Sequence, residues 1–279
     1  MKFVATALGS AFALATVPAC AQDTEGQKDV FDGDYLSVGI GAAYGPSYDG
    51  SDDYVVSPVP LLQGSFKGVG IDPRAAGIAL DFIPDHNRKV GFDLGVAGRV
   101  RMNRARQIKD PVVKSLGKLD TAVELGPTAG VSLSGLLNPY DSLTFSVDTL
   151  WDVAGAHDGM VVDPSVAYFT PFSRGMAGSL TLSTEYADDD FADYYYSVTP
   201  AQAGTSGLPA FQADGGFTKA SATLLLGVDL DGELQNGGLA LFAVGSYSRM
   251  LGDAKDSPFT SIRGSADQWF GAIGVGYTF

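Results

Sequence analysis

The chain has 279 residues, with 18 basic against 32 acidic side chains, a net charge of −14 and a single cysteine. The acidity argues against a nucleic-acid partner, because phosphate would be repelled. With 36 Gly, 16 Phe and 12 Tyr but only 18% charged residues, and no apolar run beyond the N-terminus approaching the ~20 residues of a membrane-spanning helix, the composition is that of a transmembrane β-barrel.

In chain order, Met1-Lys2 is a short basic start, Phe3 to Val17 is largely apolar, and Ala19-Cys20-Ala21 is a small-x-small cleavage site. Residues 1–21 therefore read as a signal peptide, with an apolar stretch too short to span a membrane. Acylation of Cys20 as a lipoprotein is the second reading, disfavoured because Pro18 stands where a small or aliphatic residue is usual. Cleavage before Gln22 removes the only cysteine, so neither a disulfide nor a cysteine-built metal site is available, and leaves a charge of −15. Residues 22–34 read as a periplasmic N-terminal segment and 35–279 as the barrel.

Within the barrel, period-two alternation recurs between Gly, Pro, Asn and Asp punctuation. Leu36, Val38, Ile40, Ala42 and Tyr44 oppose Ser37, Gly39 and Gly41; Ile78, Leu80 and Phe82 oppose Ala79 and Asp81. Val90, Phe92, Leu94, Val96, Val100 and Met102 oppose Asp93, Ala97, Arg99 and Arg101. The same holds for 123–134, 143–152, 179–186 and 221–231. The polar faces are mostly Gly, Ser, Thr and Ala with scattered charge, which suits a narrow lumen better than the Lys- and Glu-rich solvated face of a soluble sandwich. The tight connections are Pro84-Asp85-His86-Asn87, Asn138-Pro139-Tyr140, Pro171-Phe172-Ser173 and Asp231-Gly232-Glu233, whereas 103–118, 187–216 and 251–264 are long and polar. Such asymmetry is that of outer-membrane barrels, with short periplasmic turns and long outer loops. Eleven segments resolve, but a barrel with both termini in the periplasm needs an even number. The ambiguity lies in 54–82, where Ser57–Gln63 and Gly68–Ile71 form one strand or a hairpin. Twelve strands are expected, with ten as the alternative. The last strand ends on alternating Trp269, Ile273, Val275, Tyr277 and Phe279, as a lipid-facing closing strand would.

Four stretches resemble the MipA/OmpV outer-membrane proteins, also called MltA-interacting proteins: Gly39-Ile40-Gly41 with Pro46 to Tyr54 and Pro58-x-Pro60; Gly77-Ile78-Ala79-Leu80; Tyr194 to Phe211; and Arg249 to Pro258 leading into the terminal strand. The resemblance implies an outer-membrane barrel of a Gram-negative bacterium. It also implies a scaffold joining a lytic transglycosylase and a penicillin-binding protein on the peptidoglycan, in contact with outer-membrane lipid and lipopolysaccharide. Other members are described as surface antigens, adhesins or barrels affecting antibiotic entry. Gly274, Tyr277 and Phe279 fit the terminal signal read by the barrel-assembly machinery, with Ala272 departing from it.

Three groups of residues are site candidates. In the loop following residue 187, Asp188, Asp190, Phe191, Tyr194, Tyr195 and Tyr196 combine acids with aromatics, a composition able to hold a cation, a sugar or a partner. Thr199-Pro200 predicts a short helix that folds this loop inward, and self-packing is the simpler expectation. The lumen set is Asp93, Glu124, Asp148, Asp152, Glu185, Asp229 and Asp231 against Arg99, Arg101 and Lys219, which favours cations if water fills the lumen and must pair if it does not. No catalytic motif accompanies the two histidines: His86 falls in a tight turn, and His157, near Asp152 and Asp158, reads as a solvated loop residue. Asp49, Asp52 and Asp53 lack calcium-loop spacing and read as a turn. No cofactor or metal is expected. The functional expectations are thus a non-catalytic scaffold, a narrow cation-preferring pore, or an adhesin.

Overall fold

Alternation over segments of this length makes strands with one apolar face, and in the computed structural model, which describes residues 30–83 and 89–279, they close on one another. The signal peptide, the segment up to residue 29 and the turn containing His86 lie outside the described residues. The strands are β1 (Tyr35–Pro46), β2 (Tyr54–Phe66), β3 (Val69–Arg74), β4 (Gly77–Asp81), β5 (Val90–Arg101), β6 (Ala122–Ser134), β7 (Ser142–Asp152), β8 (Met160–Ser173), β9 (Met176–Ala187), β10 (Gly216–Asp229), β11 (Gly238–Met250) and β12 (Asp267–Thr278). Each is antiparallel to its sequence neighbours, and β1 pairs with β12 from Ser37↔Thr278 to Tyr44↔Gly271. The seam is locked by a Phe279 N–H to Leu36 carbonyl bond of 2.9 Å and by the Ser37 and Thr278 hydroxyls 2.7 Å apart. Twelve is the expected number, and it satisfies the parity argument that eleven did not.

Large apolar side chains point outward around the whole wall. Ile40 and Val56 are 64% exposed and Ile273 71%, which only a lipid surround makes reasonable for a contiguous band. Aromatic pairs ring one end: Tyr44 with Tyr54, Tyr186 with Phe217, and Tyr247 with Trp269. Phe66, Tyr140, Phe172 and Phe279 are exposed toward the other. This is the double girdle of a membrane barrel.

Connections alternate in length as expected. One end has short turns, among them Lys67-Gly68, Arg174-Gly175 and 230–237. Pro171–Ser173 extends β8 instead of forming its turn, which falls at Arg174-Gly175. The opposite end carries the long loops, which hold five short helices: α1 (Pro111–Ser115), α2 (Asp189–Tyr196), α3 (Pro200–Ser206), α4 (Gly252–Asp256) and α5 (Pro258–Ser261). Two strands depart from the rest. β3 and β4 have 6 and 5 residues where the others have 11 to 14, so their hairpin, turning at Ala75-Ala76, follows β5 nearly to its end but leaves most of β2 without a partner on that side. The parity difficulty in 54–82 has this cause: Ser57–Gln63 belongs to β2 and Gly68–Ile71 opens β3, a separate strand too short to show a full alternating run.

Candidate functional site

The loop helices start where sequence chemistry dictates. Asp188 caps α2 by accepting the Phe191 N–H, and Thr199 and Gln202 form a capping box on α3. Asp110-Pro111 and Ser257-Pro258 start α1 and α5 with the same device, a side-chain acceptor followed by a proline whose missing N–H costs nothing at that position. Once formed, α2 turns its aromatic face inward. Phe191, Ala192, Tyr195 and Tyr196 are all at most 1% exposed and pack with Val161, Ala187, Ala213, Met250 and Ala254. A second cluster joins Tyr48, Ile108, Val113, Val198, Leu208 and Phe259, drawn from four different loops. Arg104 stacks on the Phe259 ring at 4.0 Å, and burial lowers its pKa to about 10. Burial likewise pushes the Tyr48 phenol up to about 12. Together the loops form an apolar plug across the mouth.

Directly beneath lies a layer of ion pairs. Arg101 donates to Glu124 at 2.6 Å and to Glu185 at 2.7 Å, and its guanidinium lies 4.7 Å from the Phe191 ring centre, tying the layer to the plug. Arg99 bonds Glu124 and reaches Asp163 at 2.6 Å. Arg74 crosses from β3 to Asp148 on β7 at 2.8 Å, and Lys219 stands 3.9 Å from both Asp49 and Glu185. His157 is buried, its Nδ1 accepting the Gly159 N–H at 3.1 Å; that assigns the proton to Nε2, which lies 3.2 Å from Glu124. The layer thus contains five carboxylates and four permanent cations.

This arrangement corrects several expectations. Phe191, Tyr195 and Tyr196 offer no outer surface to a ligand, because they form the plug's interior; Tyr194 is partly buried, its hydroxyl accepting the Asp120 N–H at 2.9 Å. Asp188 is committed to capping, and Asp190 alone of the six stands free in solvent. Of the lumen set, Arg99, Arg101, Glu124, Asp148, Glu185 and Lys219 come together. Asp152 accepts the N–H groups of Ala154, Ala156, His157 and Asp158 and so holds a loop. Asp229 and Asp231 organise the turn before β11, Asp229 accepting three successive N–H groups. Asp93 sits lower on β5 beside Gly130. His157 is a buried partner of Glu124 and not a solvated loop residue. Asp49, Arg74 and Asp163 complete the layer; Asp163 could have been found by reading period two through 160–173, whereas Arg74 lay in the segment too short to read. Among the described residues no group of three or more potential metal ligands occurs.

One loop contact has a pH signature. Burial works to raise the Asp110 carboxyl, but Arg263, 2.5 Å away, and the Val113 N–H hold it below the ordinary value. A depressed carboxylate stabilises the fold above its unfolded pKa of about 3.9, and the gain is lost as pH falls through the lower folded value. Protection of the α1 amides against hydrogen exchange, corrected for the intrinsic rate, should therefore fall only below about pH 4. Asp110→Asn, which keeps a capping side chain but not the charge, should show the weaker protection at all pH values. Equal profiles for both proteins would refute the assignment.

A family profile described as "MltA-interacting protein MipA" matches residues 38–279. No curated protein matches the chain. Among solved structures, an outer-membrane channel from Pseudomonas putida F1 is similar at 14% identity, over 92% of this chain and 100% of that one, with a TM-score of 0.45. OmpT of Vibrio cholerae aligns at 8% identity over 88% and 97% with a TM-score of 0.35. OprD of Pseudomonas aeruginosa aligns at 9% identity over 91% and 96% with a TM-score of 0.28.

Proposed function

Since the chain belongs to the MltA-interacting protein MipA family and is an outer-membrane β-barrel of a Gram-negative bacterium, we propose that it works as a non-catalytic scaffold, offering its short-turn rim to murein enzymes in the periplasm. The observation that carries this reading is the plug over a paired charge layer. It leaves little at the long-loop end for a solute to use, while the opposite rim exposes apolar side chains. Leu137 is 83% exposed and Tyr140 67%, both in the β6–β7 turn held by Asp141, whose carboxylate accepts the Leu136 and Leu137 N–H groups. A rigid turn presenting a leucine and a tyrosine has the make-up of an interface anchor.

Long loops outside and short turns inside is the usual orientation of such barrels, and it puts this turn, Phe172 and the C-terminal Phe279 at the periplasmic face. The partner proposed is a lytic transglycosylase, as the family description implies, with a penicillin-binding protein as the second client. Gly274, Tyr277 and Phe279 are proposed to serve the assembly machinery. A pull-down from detergent extract should retain a murein hydrolase, and the Leu137→Asp, Tyr140→Ala double variant should retain much less while still assembling. Retention of no murein enzyme by the native barrel, beside a working control, would refute the scaffold. Equal retention by the variant would move the contact elsewhere on the rim.

A further inference from the structure

The barrel wall has a side opening. A membrane-crossing β-strand needs about 9–11 residues, and β3 and β4 have 6 and 5. β2 pairs with β1 along its whole length, from Tyr35↔Ser65 to Pro46↔Tyr54, but with β3 only over Gly64↔Ile71 to Phe66↔Val69. From Tyr54 to Gln63 its other edge meets no strand among the described residues. On the far side the hairpin stays bonded to β5 almost to its end at Arg101, the Val100 N–H donating to the Ala76 carbonyl as the last bond, so the gap opens along β2. The notch is therefore a wedge between the free edge of β2 and the hairpin, bounded below by the Gly64↔Ile71 pairing, beside it by the Ala75-Ala76 turn, and above by the Asp49 N–H bond to Asn103, and it lies within the lipid-facing band just below the Tyr44–Tyr54 girdle.

An open strand edge in a membrane is costly, because its donors lack partners, and here the sequence removes donors. The Ser47 N–H bonds the Asp53 carbonyl at 2.8 Å, so on β2 the odd-numbered residues face β1 and the even-numbered ones face the notch. Pro58 and Pro60 are both even. Two of the N–H groups that would have pointed into the gap do not exist, and a proline edge also resists pairing with a strand from another chain. The opening is built to remain open without recruiting a strand.

Behind the notch the near wall of the lumen is largely apolar, with Ser37, Ser57 and Gln63 among its inward residues. The inward faces of β1, β2, β11 and β12 carry Ala43, Val59, Leu61, Phe242, Val244 and Phe270, with the Phe242 ring laid over Gly39, Gly41 and Gly274. A Cβ on Gly274 would stand 2.4 Å from that ring. The opposite wall, β6 to β10, faces inward with Ser146, Ser165, Ser183, Ser221 and Thr223. An apolar wall reached sideways from lipid, across from a hydroxyl-lined one, matches a molecule with an acyl chain and a polar head.

We propose that the notch admits the chain of a single-tailed amphiphile from the adjoining leaflet into the lumen, where it lies along Val59, Leu61, Phe242 and Phe270. The plug and the charge layer close the route upward, so sideways entry is the way in. The proposal stands apart from the scaffold reading, since it uses the wall and not the rim.

The test uses the full-length barrel, with Trp151 and Trp269 replaced by Phe, carrying one new tryptophan and refolded into vesicles whose lipids are chain-brominated. Bromine quenches indole only on contact. Leu61→Trp, inside the barrel behind the notch, should lose emission to an extent comparable with native Trp269 on the lipid face. Ser165→Trp, inside the barrel on the far wall, should keep it. Added brominated fatty acid in unbrominated vesicles should quench Leu61→Trp and leave Ser165→Trp unchanged. Gel mobility with and without heating checks folding, and Val59→Trp replaces Leu61→Trp if that variant misfolds. Full emission from folded Leu61→Trp or Val59→Trp in both vesicle types would overturn the proposal, as would equal quenching at Ser165→Trp.

Discussion

Arg101→Met should destabilise the folded barrel by roughly 3–5 kcal/mol, because it strands buried carboxylates instead of merely deleting a bond. Glu124 is fully buried and Glu185 nearly so, and Arg101 bonds both, at 2.6 and 2.7 Å. Arg99 cannot take over, since it already serves Glu124, Asp163 and, at 3.6 Å, Glu185. The measurement is urea unfolding of the barrel refolded in lipid vesicles. Pairing Arg101→Met with Glu185→Gln should recover part of the loss, because removing both members of a buried pair costs less than removing one. A single-variant change below about 1 kcal/mol, the scale of an exposed pair, would mean that water reaches the layer and screens it.

The wall was legible in the sequence because a barrel writes itself in period two, and the lipid face tolerates almost nothing but apolar residues. Ile40, Val96, Leu182 and Ile273 could be assigned outward from their spacing alone. The hairpin β3–β4 was only half legible: Ile78, Leu80 and Phe82 marked β4, whereas the six residues Val69–Arg74 offer too few alternations to be told from a turn. The odd strand count was the trace it left. The lumen charges were assigned to the right face, but face does not determine partner: Arg101 and Glu185 are 84 positions apart and meet only through the circumference of the barrel. An apparent excess of seven acids over three bases therefore became five against four once Asp152, Asp229 and Asp231 proved to hold turns, Asp93 lay lower on β5, and Asp49, Asp163 and Arg74 entered. The aromatic loop carried a signal that composition hid. Phe191 with Tyr195, and Ala192 with Tyr196, are spaced four apart after a capping Asp188, which is the pattern of a helix with a buried face.

Replacing residues 190–213 with a short Gly-Ser linker should turn a barrel silent in planar bilayers into one with stepwise conductance. The geometry permits the excision. Gly216 pairs with Ala187, and Gly215 N–H bonds the Asp189 carboxylate at 2.7 Å, so the ends already meet and the β9–β10 hairpin can close without the loop. What leaves is the centre of both apolar clusters: Phe191, Ala192, Tyr195 and Tyr196 from one, Val198 and Leu208 from the other. Deleting single buried aromatics costs about 3–5 kcal/mol, so the neighbouring loops with Tyr48, Met250 and Phe259 should lose their packing and move. Below them, twelve strands enclose roughly one and a half times the diameter of an eight-stranded barrel, with Ser and Thr lining β6 to β10 and a largely apolar face on β1, β2, β11 and β12. The ion-pair layer becomes the remaining barrier, and it is held from above by the contact of Arg101 with Phe191. Conductance in the excised barrel that disappears at high salt would point to residual gating by these charges; conductance that scales with salt would mean an open lumen. A folded variant as silent as the native barrel would place the seal in the charge layer itself and reduce the plug to a cover.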